Sequence, residues 1–537
     1  MKKILLATIL SVAPSMLFAQ SAIDAYQLSQ GDLKGTARFV SMGGAFGALG
    51  GDLSTLTQNP AGIGVYRSSE IGVTMDINMQ STKSNSMGYS LSENQTKVYC
   101  PNFGYVGSIK LTNETMPIFN WGISYSRAAS FDRLYRGGTP NISTSITNYI
   151  ADFSNPAPDE LGFSRKEYGK KYVNPYWDSD ADWLSILAYN SYMINPVGNT
   201  SDYTGLYQDG TAGDAMFAVR ESGYVDEYSI NLGGNFVDMV YWGLGLGITD
   251  LDYMNQTFYD EELADARISG PAGLSTINGD AYISLDNLKH ISGTGVNFKA
   301  GLIFKPVNEF RLGFAVHTPT YYDLRHDYDA VSSFEYTSGI EGGDYTELAI
   351  FDSKLNTPWR IMASAAGVIG GRAILSFDYE YNAYNDMSVK DGYGYSFYDV
   401  NDDINTYYKG QNIFRVGAEF RVTPKFSVRA GYNYQTSNVN DGAQGGSDYV
   451  YTSGTDPSYT FDNKTQYITC GLGFRTGGFY IDAAYVHKDR ESEFHAFSRY
   501  GREPGERYKL PSNAPNAPTA TIKDNNNSIV LSVGYKF

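Results

Sequence analysis

Two cysteines and five histidines in 537 residues leave little material for a disulfide framework or a histidine-rich metal centre. Cys470 sits on the apolar face of an alternating segment and reads as a lipid-facing residue, not as a partner for the distant Cys100. The histidines (His290, His317, His326, His487, His495) are scattered. G-x-S-x-G, H-E-x-x-H, the phosphate-binding glycine loop and C-x-x-C are all missing, so no enzyme, metal or cofactor is expected. Asp178–Asp182 and Asp399–Asp403 have the look of calcium loops but lack the glycine at the sixth place and the glutamate at the twelfth. Basic residues are also short, 41 against 58 acidic ones, and the resulting charge of −17 argues against nucleic acid as a partner. Beyond the first 19 residues no apolar run reaches 18, and mean hydropathy is −0.33, which excludes membrane-spanning helices.

What remains suits a chain that crosses a membrane as strands. Met1-Lys2-Lys3, the apolar run Ile4 to Val12 and Phe18-Ala19-Gln20 predict a signal peptide over 1–19, cut after Ala19. Tyrosine (45), phenylalanine (28) and glycine (57) are abundant, as expected for strands with aromatic ends and close backbone contacts. Fourteen segments of about ten residues alternate with period two. They lie near 70–79, 101–110, 118–127, 227–236, 239–250, 294–305, 309–318, 358–369, 371–383, 411–422, 425–435, 465–475, 478–488 and 527–537. In Phe310-Arg311-Leu312-Gly313-Phe314-Ala315-Val316 the apolar set is predicted to face lipid and the charged or glycine set the lumen. Connections alternate short and long, which predicts six periplasmic turns and seven outer loops, the largest over 128–226. The last segment, with Ile529, Leu531, Val533, Tyr535 and Phe537 on one face, reads as the closing strand, and Phe537 as the contact for barrel assembly machinery. The fold class is therefore all-β: a 14-stranded antiparallel transmembrane β-barrel over 67–537, placed in the cell outer membrane.

Residues 20–66 break the alternation, with helix-like spacing from Leu33 to Leu56 and many small residues that allow tight packing in a lumen. Gly35-Thr36-Ala37-Arg38, Ser41-Met42-Gly43-Gly44-Ala45-Phe46, Asp52 and Asn59-Pro60-Ala61-Gly62 together resemble the N-terminal hatch of the long-chain fatty acid transporter family (FadL-like and toluene-transporter-like outer-membrane proteins). Leu355-Asn356-Thr357-Pro358-Trp359 and Phe377-Asp378-Tyr379-Glu380-Tyr381 are similar to family segments too. The resemblance implies a helical hatch in the lumen, passive uptake of hydrophobic small molecules such as fatty acids, a monomer, and lateral release into outer-membrane lipid. Release would occur through a gap made by a kink in the third strand beside the hatch. On this footing Asn59, Pro60 and Ala61 form the hatch segment near the gap, and Gly122 is the candidate kink, or a plain strand glycine. A haem or haemin receptor and a structural or adhesive surface barrel are the alternatives.

Alternation also names candidate lumen residues. Lys299, Arg360, Arg415 and Arg429 fall on the non-lipid face, with Asp378, Glu380 and Glu419 as partners. They form either a seat for a ligand carboxylate or a salt-bridge network that braces the wall. Trp183, Leu187, Met193 and Ile194 lie in an apolar helix-like stretch before Pro196, expected to be either a capture groove or packing for the outer loops.

Overall fold

The computed structural model describes residues 20–86, 89–155, 176, 181–197, 202–268, 277–337, 339–501 and 506–537. The expected signal segment and its cut lie outside these residues, as do Asp178 and Asp180 of the first aspartate run.

Fourteen strands close into one antiparallel barrel. They are β1 (Glu70–Ser86), β2 (Tyr89–Lys110), β3 (Ile118–Ser130), β4 (Ala212–Phe236), β5 (Val240–Ile268), β6 (Ile277–Val307) and β7 (Phe310–His317). The circuit continues with β8 (Arg360–Ile369), β9 (Ala373–Asn382), β10 (Gln411–Thr423), β11 (Phe426–Gln435), β12 (Tyr459–Thr476), β13 (Phe479–His495) and β14 (Thr519–Lys536). Each pairs with the next, and β14 returns to β1 from Glu70↔Lys536 to Asn85↔Thr521, leaving no free edge. Every alternating segment read from the sequence is found in one of these strands.

The alternation sets the two faces. Ile529, Leu531, Val533, Tyr535 and Phe537 of the last strand point outward and are exposed, as are Phe310, Phe314, Val316, Phe414, Val416 and Phe420. Between them Arg415 and Glu419 turn inward and are buried, and Arg311 turns in to donate to Leu49 O at 2.8 Å. This apolar band around a closed barrel is the surface a bilayer requires. Cys470 lies exposed on it, and both cysteines are free.

Several strands are far longer than a crossing needs. The 31 residues of β6 extend about 100 Å at the usual strand rise, whereas a tilted crossing takes about 10 residues. The excess rises above the membrane as an outer wall. Two adjacent strands are interrupted at this level: Thr318-Pro319-Thr320 separates β7 from Tyr321–Tyr336, and Thr357-Pro358-Trp359 separates Ala349–Asn356 from β8. Proline cannot donate to the ladder, and the gap is patched by Thr320 N–H donating to Thr357 Oγ1 at 2.8 Å.

The outer loops fill this wall as a cap. Helices α4 (Ile146–Ser154) and α5 (Trp183–Asn190) pack with Phe217, Phe494 and Phe497 around a common apolar core. Trp183, Leu187, Met193 and Ile194 are all buried in the cap. The second aspartate run is helical: Asp399 and Asp403 lie in α6 (Tyr398–Tyr407) and both receive Arg507, at 2.7 and 3.0 Å. A helix cannot curl round an ion as a calcium loop does.

One cap contact is electrostatically costly. The Glu261 carboxylate is fully buried and accepts from Ile146 N–H (2.9 Å), Tyr259 O–H (2.8 Å) and the Ser145 hydroxyl, the cap residue of α4. It makes no salt bridge among the described residues, and burial pushes its pKa up to about 7.

Candidate functional site

Residues 20–66 occupy the lumen at two levels. Helix α1 (Ala22–Leu28) stands high, with Tyr26 stacked on Tyr408 at 5.0 Å and packed against Tyr384 and Phe461 of the outer region. Its Asp24 accepts from Lys289 at 2.6 Å. Beside it His326, on the outer wall, is held neutral, its pKa pushed down to about 4 by burial.

Helices α2 (Ala37–Ser41) and α3 (Thr55–Gln58) and the 3₁₀ turn Pro60–Val65 form the floor. Asn59 starts that turn: its Oδ1 accepts from Ala61 N–H at 3.1 Å while its Nδ2 donates to Gly47 O at 2.6 Å. Proline at the first position of the turn costs nothing, because that N–H has no partner inside it. The tripeptide therefore folds one hatch loop against another, which is what its local chemistry demands.

The wall accommodates the floor with glycines. A side chain at Gly243 or Gly301 would overlap Pro60 O or Asn59 Oδ1, one at Gly417 would stand 2.6 Å from Met42 O, and one at Gly313 would strike Gly47 O. These inward positions on β5, β6, β7 and β10 let the wall backbone lie directly against the hatch. The glycine set of the alternation is thus the seat of the hatch.

The predicted lumen charges are largely paired with one another. Arg429 binds Glu419 (2.7 Å) and Asp482 (2.6 Å), and Arg38 of the hatch reaches the same Glu419 at 3.0 Å. Glu380 is held by Arg360 and Arg415, each at 2.7 Å. Lys299 binds Glu227, and Asp378 accepts from Gly47 N–H at 2.9 Å. Asp482 and Glu227, unnamed from the sequence, complete this set because the register of neighbouring strands decides which inward charges meet. Side-chain exposure separates the members: Arg429 is 1 % exposed, Arg415 8 % and Arg360 45 %. Arg360 faces a cavity of about 230 Å³ between hatch and wall, which Lys299, His317, Tyr384, Phe39 and Leu33 also line.

A separate, smaller cavity of about 40 Å³, lined by Tyr99, Ser130 and Asp132, lies at the wall, and the hatch loop Asp32-Leu33-Lys34 lines both. Here the sheet is open. The β2–β3 ladder ends at Asn102↔Ser126; above it, among the described residues, β2 pairs only with β1, while β3 and the segment Arg133–Thr139 pair only with β4. Each side carries an irregularity at this height, one opposite Thr74/Asp76, at Cys100-Pro101, and one between Arg127 and Ala129. Side chains close the seam in place of backbone bonds. Asp132 accepts from Tyr99 O–H (2.8 Å) and from Lys97, Arg136 meets Glu93 at 2.5 Å, and the Arg127 guanidinium lies 5.4 Å from the centre of the Tyr99 ring. The hatch touches the same place: Asp32 N–H donates to Ala128 O at 3.0 Å.

Gly122, the expected kink, lies instead in an unbroken stretch, paired with Val106 on one side and Asn231 on the other. A Cβ added at Gly122 would stand 3.2 Å from Ile63 Cδ1 of the hatch, so the glycine allows the same close packing as the others. The irregularity of β3 lies at Ala128. Nothing in the alternation marked Asp32, Lys97, Tyr99 or Asp132; the signal present was Pro101, which cannot donate within a strand pattern.

These features define a hatch-plugged transmembrane β-barrel of the outer-membrane type. No protein-family model matches the sequence, and no curated protein does. Among solved structures, a FadL homologue from Pseudomonas aeruginosa is similar over 94 % of this chain and 99 % of its own, with 14 % identity and a TM-score of 0.51. The Ralstonia pickettii toluene transporter TbuX (15 % identity, 94 % and 99 % covered, TM-score 0.45) and the Pseudomonas putida toluene transporter TodX (13 %, 94 % and 99 %, 0.45) follow. At these identities the likeness is one of fold.

Proposed function

We propose that this protein is a passive outer-membrane channel for hydrophobic small molecules, long-chain fatty acids or hydrocarbons, released sideways into the bilayer through the seam between β2 and β3. The observation that carries the reading is an unpaired stretch of wall beside the hatch, where one hatch loop, Asp32-Leu33-Lys34, lines both the lumenal cavity and a smaller cavity at that wall. The FadL-type fold supports it, as does the energetics of release. Each methylene moved from water into lipid gains about 0.8 kcal/mol, so a sideways exit is favoured over one into the periplasm.

On this reading Arg360 is the cation available to a ligand carboxylate, whereas Arg415 and Arg429 brace the wall. Asn59, Pro60 and Ala61 hold the floor closed to the periplasm. The apolar residues of α5 serve capture only when the cap opens. The protein works as a monomer, delivered to the membrane through assembly machinery that reads the strand ending at Phe537.

The test is uptake of labelled oleate and labelled toluene by cells carrying the full-length protein or a form deleted for residues 20–62, with haemin as a control ligand. The reading expects uptake of at least one hydrophobic probe that changes on deletion. Unchanged uptake of both, or a Soret shift with haemin alone, overturns it.

A further inference from the structure

We infer that the mature chain carries a covalently modified N-terminus, a pyroglutamate formed from Gln20. The inference rests on the sequence expectation of a cut after Ala19, which makes Gln20 the first residue, and on where the fold places that residue.

Gln20 is fully buried under the cap at the head of α1. A free terminus would put an ammonium there. Asp24, in the first turn of α1, is already engaged by Lys289 (2.6 Å), by the Ser21 N–H and hydroxyl (3.2 and 3.0 Å), by Ser453 (3.0 Å) and by Tyr328 (3.4 Å). The neighbouring His326 is neutral and occupied with Ser353 at 2.7 Å. Among the described residues Gln20 hydrogen-bonds to no acid, only to Ser353, so a second buried cation there would lack an anion of its own, which is among the more costly arrangements in a protein interior.

The Gln20 side chain shows which groups the site accepts. Its Oε1 takes a hydrogen bond from Ser353 at 3.1 Å, while its Nε2 is buried with no partner. Cyclisation removes both misfits. The α-amino nitrogen attacks Cδ, the new C–N bond closes a five-membered lactam, the Cδ–Nε2 bond breaks, and ammonia leaves with the amine's proton. The charge and the unpartnered amide group disappear together, and the carbonyl that Ser353 contacts is retained. Because the residue is enclosed in the finished barrel, the ring closes after export and before the lumen is filled.

The experiment uses full-length protein isolated from outer membranes, unfolded in denaturant and treated with an amine-tagging reagent before proteolysis and mass spectrometry. A peptide starting at residue 20, untagged and lighter by one ammonia, is expected. A tagged Gln20, or a terminus at another residue, overturns the inference. Gln20→Asn keeps the primary amide but cannot close the five-membered ring. It should carry the tag and lose its folded gel mobility at a lower temperature than wild type. Equal heat resistance would refute the burial argument, and failure of this variant to assemble leaves the wild-type mass readout intact.

Discussion

Glu261 makes the cap sensitive to pH in a calculable direction. In an unfolded loop its carboxyl titrates near 4.5, and in the cap near 7. A folded state that holds its proton more tightly than the unfolded one is stabilised at low pH. The contribution is complete below about 4.5, falls as pH rises, and is gone above about 7. The full swing is 2.5 pKa units, about 3 kcal/mol. Between pH 5.5 and pH 8 it amounts to about 2 kcal/mol, or roughly a thirtyfold change in the equilibrium for opening the α4 end of the cap. Hydrogen exchange of residues 145–154, measured at both pH values and corrected for intrinsic rates, reads that equilibrium. Glu261→Gln is neutral at every pH and still accepts from Ile146 and Tyr259, so its protection should be flat at the acidic wild-type level. A wild-type cap better protected at pH 8, or parallel profiles for the two proteins, would refute the assignment.

Arg429→Met leaves Glu419 and Asp482 buried without their shared partner and should cost about 3–5 kcal/mol, seen as a lower temperature for the heat-induced gel shift. Arg360→Ala, by contrast, leaves Glu380 with Arg415 and exposes little new charge; a loss within about 1 kcal/mol is expected, with weaker retention of a fatty acid but not of toluene. Gly417→Val drives a side chain into Met42 O and should unseat the hatch, raising permeability to a small antibiotic while the barrel stays folded. Asp132→Ala removes the acceptor shared by Lys97 and Tyr99; about 1 kcal/mol off the closed seam should speed uptake of a fluorescent fatty acid up to about fivefold, and an unchanged rate would argue against exit there.

How much of this was legible depended on period. Strands that spend one face in lipid must alternate, so the fourteen crossings could be read directly, down to Arg415 and Glu419 facing in between Phe414, Val416 and Phe420. The hatch was legible because residues 20–66 drop the period-two alternation for helix-like spacing, and because the motifs from Gly35 to Gly62 resemble a known hatch. Partners were not legible. Asp482 reaches Arg429 only through the register of β11 to β13, which no single strand's pattern encodes. Helix α5 could be read as apolar but not as covered, since Phe334 and Tyr336, which share its apolar core, arrive from a hundred and more residues away. The expected kink was placed at Gly122 because glycine is the usual signal for a bend; here the glycine faces the hatch, and the ladder ends where Pro101 and the bulge at Ala128 fall at one height.

That coincidence of height has a mechanical consequence. A bulge in one strand alone re-aims a side chain, and its ladder resumes beyond it. Irregularities in two neighbours at the same level, with Arg133–Thr139 carried off to pair with β4 alone, leave no register in which β2 and β3 rejoin. Opening the wall there breaks side-chain contacts but no backbone ladder, and so costs far less than parting strands anywhere else in the barrel. The hatch is bonded to this spot through Asp32 and Ala128 O, and Asp32 is itself anchored to Lys488 on β13 at 2.5 Å. On the proposed reading a ligand that displaces the loop Asp32-Leu33-Lys34 loosens the seam in the same movement. Asp32→Ala should therefore speed release without altering the floor, whereas substitutions at Asn59 should open the floor without altering release. If both variants changed the two readouts alike, hatch and seam would be one gate opening in one step.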